Sequence, residues 1–215
     1  MTMSNILFIS GIGTNVGKSY ATGWLANYLT DKGHKVMTIK MIQTGDVGYS
    51  EDIEIHRRLM KLPILPIDKD FTTAPIIMSY PASPHLAARI DKCEIDLSKI
   101  DRSVEKLSAD YDTLLMEGAG GLMVPITEDY LTIDYIAEHK LPLVLVTNGQ
   151  LGSINHTLLS LEAISSRGIS LPYVIYNPFF DEDKIIAEEN MNYFRQLIGK
   201  KYPDTELLIM NETTV

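Results

Sequence analysis

The feature that most constrains this chain is a glycine-rich turn between a short apolar run and an amphipathic one. Asn5-Ile6-Leu7-Phe8-Ile9-Ser10 reads as a buried strand, and Gly11-Ile12-Gly13-Thr14-Asn15-Val16-Gly17-Lys18-Ser19 as a loop that opens a helix. From Ser19 to about Asp31, Ala21, Trp24, Leu25, Tyr28 and Leu29 fall on one helical face, and Gly33 stands where a C-cap glycine belongs. Such a loop can curl its backbone N–H groups around phosphate oxygens, and the helix N-terminus adds its positive end. Lys18 would then reach the terminal phosphates, and the Ser19 hydroxyl would ligate magnesium. The first glycine, Gly11, comes one residue earlier than in G-x-x-x-x-G-K-[ST], and Ile12 holds a position where glycine is expected. A turn that merely joins strand to helix is disfavoured by Gly-Lys-Ser in this context.

The rest of the chain continues the alternation. Strands are expected at 34–40, 76–80, 113–116, 143–147, 173–176 and 207–210. Helices are expected at 51–62, 84–91, 97–111, 130–140, 154–167 and 181–198, with Gly168 capping the sixth strand's preceding helix. The proline-interrupted stretch 63–75 reads as an irregular surface excursion. Apolar strands separated by helices indicate an α/β fold, a P-loop NTPase-like, mostly parallel sheet with helices on both faces. Its strand C-termini then share one edge, where open α/β folds bind ligands. No repeat or linker divides the chain, so residues 1–215 are expected to form a single domain.

Composition narrows the function. At 215 residues and 45% apolar, the chain can bury roughly 70% of its unfolded surface without a disulfide or metal staple. The single cysteine, Cys93, excludes an intrachain disulfide and a cysteine zinc cluster, and its charged neighbours place it at the surface. A net charge of −9, from 19 basic and 28 acidic residues, argues against nucleic-acid binding. No apolar run approaches a membrane span, and the first residues lack a signal peptide's charged region and cleavage site. The expectation is a soluble, cytoplasmic protein.

Several residues fall at the predicted ligand edge. Lys40 ends the second strand, where an ammonium can stabilise charge developing in phosphoryl transfer, and Thr44-Gly45 follow it. Asp52 opens the next helix, and Glu117 closes a strand, the position of a metal-organising carboxylate. Ser19, Asp52 and Glu117 together offer three hard oxygen ligands that suit magnesium. Gly118-Ala119-Gly120-Gly121 form a second loop open to close approach. Ser83 and Pro84 start a helix, with His85 equally open to packing or catalysis.

In this order the motifs resemble the dethiobiotin synthetases, ATP-dependent ureido-ring-forming enzymes of biotin biosynthesis. The likeness runs from Ile6 to about Asn177 and includes Ser83-Pro84-His85, Glu117 to Gly121 and Leu151-Gly152-Ser153-Ile154-Asn155-His156. It implies an ATP site on Gly13, Thr14, Asn15, Val16, Gly17, Lys18, Ser19 and Tyr20, with Glu117, Gly118 and Gly120. It also implies magnesium on Ser19, Asp52 and Glu117, and an adenine contact from Asn177. Lys18 and Lys40 would act on the carbamate and the transferring phosphoryl group. Thr44 and Ser83, with Gly120, would position 7,8-diaminononanoate, which reacts with CO2. In a homodimer, Gly152, Ser153, Ile154 and Asn155 would receive the substrate carboxylate from the neighbouring subunit. Asn15 departs from an acidic residue or glycine, Met41 from a proline, and Leu207 to Asn211 from Gly-x-Ile-Pro. A regulatory partition-type ATPase would carry a lysine where Gly13 stands. A cobyrinate-type ligase would add a glutaminase domain with a nucleophilic cysteine.

Overall fold

A computed structural model describes residues 5–210. Asn211, the last residue of the atypical late segment, lies outside them. In chain order the elements are β1 (Asn5–Gly11), α1 (Lys18–Asp31), β2 (Val36–Lys40), β3 (Gln43–Thr44), α2 (Glu51–Leu59), α3 (Pro66–Lys69), β4 (Ile77–Met78), α4 (Pro84–Asp91) and α5 (Ser98–Ser108). They continue with β5 (Thr113–Gly121), β6 (Pro125–Thr127), β7 (Tyr130–Leu131), α6 (Thr132–Glu138), β8 (Leu143–Asn148), α7 (Ser153–Ser165), β9 (Tyr173–Asn177), α8 (Lys184–Lys201) and β10 (Glu206–Ile209).

Six strands pair, all in parallel, in the order β10-β9-β8-β1-β5-β2. The first strand is therefore central. The chain leaves it toward the β2 edge and later fills the other side, which opens a crevice beside β1's C-terminal end. Both faces of the sheet are covered, which is why its strands are apolar without alternation. Leu7, Ile9, Val144 and Val146 pack under Ala21, Leu25 and Leu29 of α1. Phe8, Leu143 and Leu145 pack on the opposite face with Ile133, Ile136, Leu161 and Ile198.

Within α1 the expected apolar stripe divides. Ala21, Leu25 and Leu29, spaced by four, are buried against the sheet, while Trp24 and Tyr28 stack on its flank at 5.5 Å. Gly33 follows the helix with φ +92°, as expected of a residue just past the cap. Three expectations need correction. The strand predicted at 113–116 runs on to Gly121, because its glycines have no side chains to keep the backbone from pairing beside Gly11. The 63–75 excursion is not wholly superficial. It contains α3, and its Asp68 forms a two-pronged bond with the buried Arg57 (2.9 and 2.7 Å), while Thr73 and Ala74 are fully buried. The β6–β7 hairpin, only three and two residues long, gave no strand pattern and was not anticipated. Cys93 is exposed, and no helix among the described residues is long and apolar enough to cross a membrane.

Candidate active site

The strand register itself assembles the centre of the site. Lys40 at the end of β2 pairs with Glu117 in β5, which pairs in turn with Ile9 of β1. The Lys40 ammonium lies 2.8 Å from Glu117 Oε1 and 2.6 Å from Asp52 Oδ2. Ser19 shares its single hydroxyl proton between Asp52 Oδ1 at 2.5 Å and Glu117 Oε1 at 3.1 Å. Asp52 arrives on α2, whose N-cap Ser50 accepts from Ile53 N–H, with Glu51, Asp52 and Glu54 in the turn that favours negative charge. Asp52 thus serves both readings, helix charge and site carboxylate.

Two residues at this centre escaped the sequence reading. Thr22 donates to Glu117 Oε2 at 3.1 Å, and His56 Nε2 lies 2.7 Å from the same oxygen. Each was signalled only by helical spacing: Thr22 follows Ser19 by three, and His56 follows Asp52 by four, which puts each pair on one face. Burial alone would raise the Glu117 pKa. The Lys40 charge and the His56 hydrogen bond outweigh it and hold the carboxyl well below the usual range. Burial also acts to lower Lys40, but Glu117 and Asp52 win and raise it. Lys18 is lowered, first by burial and then by Lys40, against the pull of Glu117 and Asp52.

The loop before α1 is braced from below. Lys18 Nζ donates to Gly13 O at 3.0 Å. Asn15 sits at φ +58°, a left-handed conformation that asparagine and glycine tolerate and most residues do not, which accounts for asparagine at this position. Gly17, at φ +87°, lies so close to Asn177 that an added Cβ would stand 2.2 Å from its Nδ2. Asn177, at the end of β9, donates to Val16 O at 3.1 Å and accepts from Phe179 N–H at 3.1 Å.

These groups open onto one cleft of about 860 Å³, a size that suits a nucleotide and a small substrate. Of the predicted residues, Thr14, Asn15, Gly17, Lys18, Ser19, Tyr20, Lys40, Thr44, Asp52, Glu117, Gly120 and Asn177 line it. Gly13, Val16 and Gly118 are not part of that wall. Phe179, Phe180 and Asp181, not anticipated, line it as well, as does Met210 of the atypical late segment. Ser83 does not line the cleft, and its hydroxyl makes no capping bond to α4. Gly152 to Asn155 form the start of α7, away from the cleft, beside the exposed Leu151. Among the described residues no three of His, Cys, Asp and Glu form a metal cage. Two carboxylates and a hydroxyl do fit a magnesium ion that completes its shell with water and phosphate oxygens.

A phosphate-cradling loop at the C-terminal edge of a parallel sheet, facing a buried carboxylate on the neighbouring strand β5, defines a P-loop nucleotide-binding α/β protein. The profile of a family described as "AAA domain" matches residues 5–202. The chain is 43% identical to an ATP-dependent dethiobiotin synthetase of Pasteurella multocida, over 99% of this chain and all of that one. It is 46% identical to one of Haemophilus ducreyi, covering 97% and 99%, and 48% identical to one of Chlorobaculum tepidum, covering 85% and 76%. The chain belongs to the ATP-dependent dethiobiotin synthetase family. A plasmid partition protein of Borrelia burgdorferi bound to AMPPNP is similar in structure alone, with TM-score 0.57 and 17% identity over 98% of this chain and 88% of that one. That likeness speaks to the shared fold.

Proposed function

We propose that this chain converts 7,8-diaminononanoate, CO2 and ATP into dethiobiotin, ADP and phosphate. The observation that carries the reading is the buried Lys40–Glu117–Asp52 cluster set against Lys18 and Ser19 at the mouth of the phosphate loop. A purely regulatory switch has no need of a second buried ammonium there, and Gly13 stands where a partition-type ATPase would carry its own extra lysine.

In this reading CO2 adds to one amine to give a carbamate, whose oxygen attacks the γ-phosphorus of ATP. The second amine then attacks the resulting carbamic-phosphoric anhydride, expels phosphate and closes the ring. Each step needs reactants held in line and negative charge compensated more than it needs a strong base. Proximity alone can supply on the order of 7–11 kcal/mol. Loop N–H groups with Thr14 and Gly17 hold the phosphates, while Lys18 and Lys40 compensate charge on the phosphoryl group and carbamate. Ser19, Asp52 and Glu117 would hold magnesium, which neutralises phosphate charge when bound. Thr44 sits on the cleft wall to meet the diamine end, and the same role is assigned to Ser83 although it lies outside that wall. Asn177 keeps one amide hydrogen beyond its bond to Val16 for the adenine edge.

Gly152, Ser153, Ile154 and Asn155 lie away from their own cleft, so the carboxylate reading assigns them to a second copy's substrate. Ser153 gives its N–H and hydroxyl to Gln150 O, so it is the N–H groups of Ile154 and Asn155 at the start of α7 that would meet that anion. In calorimetry, 7,8-diaminononanoate titrated into protein with magnesium and AMPPNP should bind saturably, with one diamine per chain. Lys18→Ala should remove dethiobiotin formation while keeping the fold. Absent diamine binding would sink the function, and a monomeric mass by light scattering would sink the two-subunit arrangement alone.

A further inference from the structure

We propose that His56 is a positioning residue for Glu117: its ring N–H pins one carboxylate oxygen inside the protein and thereby turns the other toward the nucleotide. The proposal rests on the reading of Glu117 as a magnesium ligand.

The four donors around Glu117 divide by place. Oε1 receives Ser19 and Lys40, both of which line the cleft. Oε2 receives Thr22 and His56, both completely buried and neither part of the cleft wall. A carboxylate paired with the Lys40 ammonium only accepts, so the proton shared at 2.7 Å belongs to His56 Nε2, and this fixes the ring's tautomer and orientation. The terminal torsion of a glutamate is broad and roughly two-fold, so hydrogen bonds rather than rotamer preference set which oxygen faces which way. His56 makes the shortest of the two inner bonds.

Packing does not explain the residue. The other ring nitrogen, Nδ1, is buried without a hydrogen-bond partner. An apolar side chain of similar volume would fill the same space and avoid that unpaired group. What the histidine alone supplies is the N–H aimed at Oε2. Its place on α2, one turn after Asp52, puts two residues of a single helix on the same carboxylate network, one from the cleft side and one from behind. Gly23 of α1 permits this, because a Cβ there would lie 3.3 Å from the His56 Cα and 2.8 Å from Leu59.

The test compares AMPPNP affinity by calorimetry, with magnesium and with EDTA, in the parent, His56→Leu and His56→Gln. Leucine removes the donor, and glutamine offers an amide N–H at a similar reach. His56→Leu should weaken magnesium-dependent binding about 10–100-fold while leaving magnesium-free binding within about twofold. His56→Gln should recover most of the loss. If the leucine variant does not fold, His56→Asn, whose amide falls short of Oε2, takes its place with the same expectation. A folded donor-less variant that binds magnesium-nucleotide like the parent would overturn the assignment, as would equal losses with and without magnesium. If the parent itself binds no tighter with magnesium, the metal reading of Glu117 fails first and the His56 role falls with it.

Discussion

Lys40 and Glu117 are each the other's main counter-charge inside the protein, with Asp52 and His56 adding to the hold. The Glu117 carboxyl is lowered from its ordinary 4.5, so its charge contributes stability fully above that value and loses it as pH falls through the folded one. Lys40, raised above 10.5, contributes below that value and loses its share as pH rises through the folded one. Lys40→Met leaves a fully buried carboxylate without its main counter-charge and should cost about 3–5 kcal/mol near neutral pH. Without the ammonium, burial raises the Glu117 pKa, so the variant no longer loses stability on acidification as the parent does. Denaturant melts should therefore show the gap between variant and parent narrowing at about pH 3. A gap that stays constant with pH would exclude the pair as its source.

At the scale of elements, the packing of α2 on α1 decides whether the site closes. Gly23 lies mid-helix, where alanine would favour the helix by about 1 kcal/mol. Yet a Cβ at that point meets the Leu59 Cβ at 2.8 Å and backbone of His56 at 3.3 Å. Gly23→Ala should therefore destabilise by about 1–3 kcal/mol and weaken magnesium-nucleotide binding as Asp52 and His56 are pushed outward. A higher denaturant midpoint would show that α2 yields without resistance. The helices themselves were legible in the sequence where apolar spacing and punctuation agreed, as in α4, which Pro84 opens and where the read limits match the structure. They were less legible at α2, which ends at Leu59 rather than 62 because Lys61 turns to φ +57° ahead of Pro63. The length of β5 could not be read, since glycines signal a turn locally and only pairing with β1 keeps them extended. Likewise the anchoring of Asp68, which also accepts from Thr73, depends on Arg57 reaching across from α2, a contact between segments that no local pattern encodes.

Across the whole molecule, the parts of the site written contiguously were the readable ones. Gly11 to Ser19 announce a phosphate loop because its requirements are backbone requirements met by neighbouring residues. Lys40 was legible as a strand end once the sheet was inferred to be parallel, whereas Glu117 was read as one although β5 runs four residues past it. Thr22, His56 and the brace from Asn177 were not legible, because they depend on how crossovers stack elements 61 to 161 residues apart. A sheet made wholly of such long-range pairings is slow to assemble. Nucleotide binds only what is finished, so magnesium-AMPPNP should slow unfolding in stopped-flow measurements and leave the refolding rate nearly unchanged. Faster refolding with nucleotide would mean that the loop closes early.

The bond from Asn177 to Val16 has a further consequence during synthesis. A chain emerging from the ribosome displays its Gly-Lys-Ser turn well before the strand that locks it, which is made some 160 residues later. Growing chains thus cannot draw on the cell's nucleotide pool to steady themselves, and any help before that moment must come from chaperones or from the sheet alone.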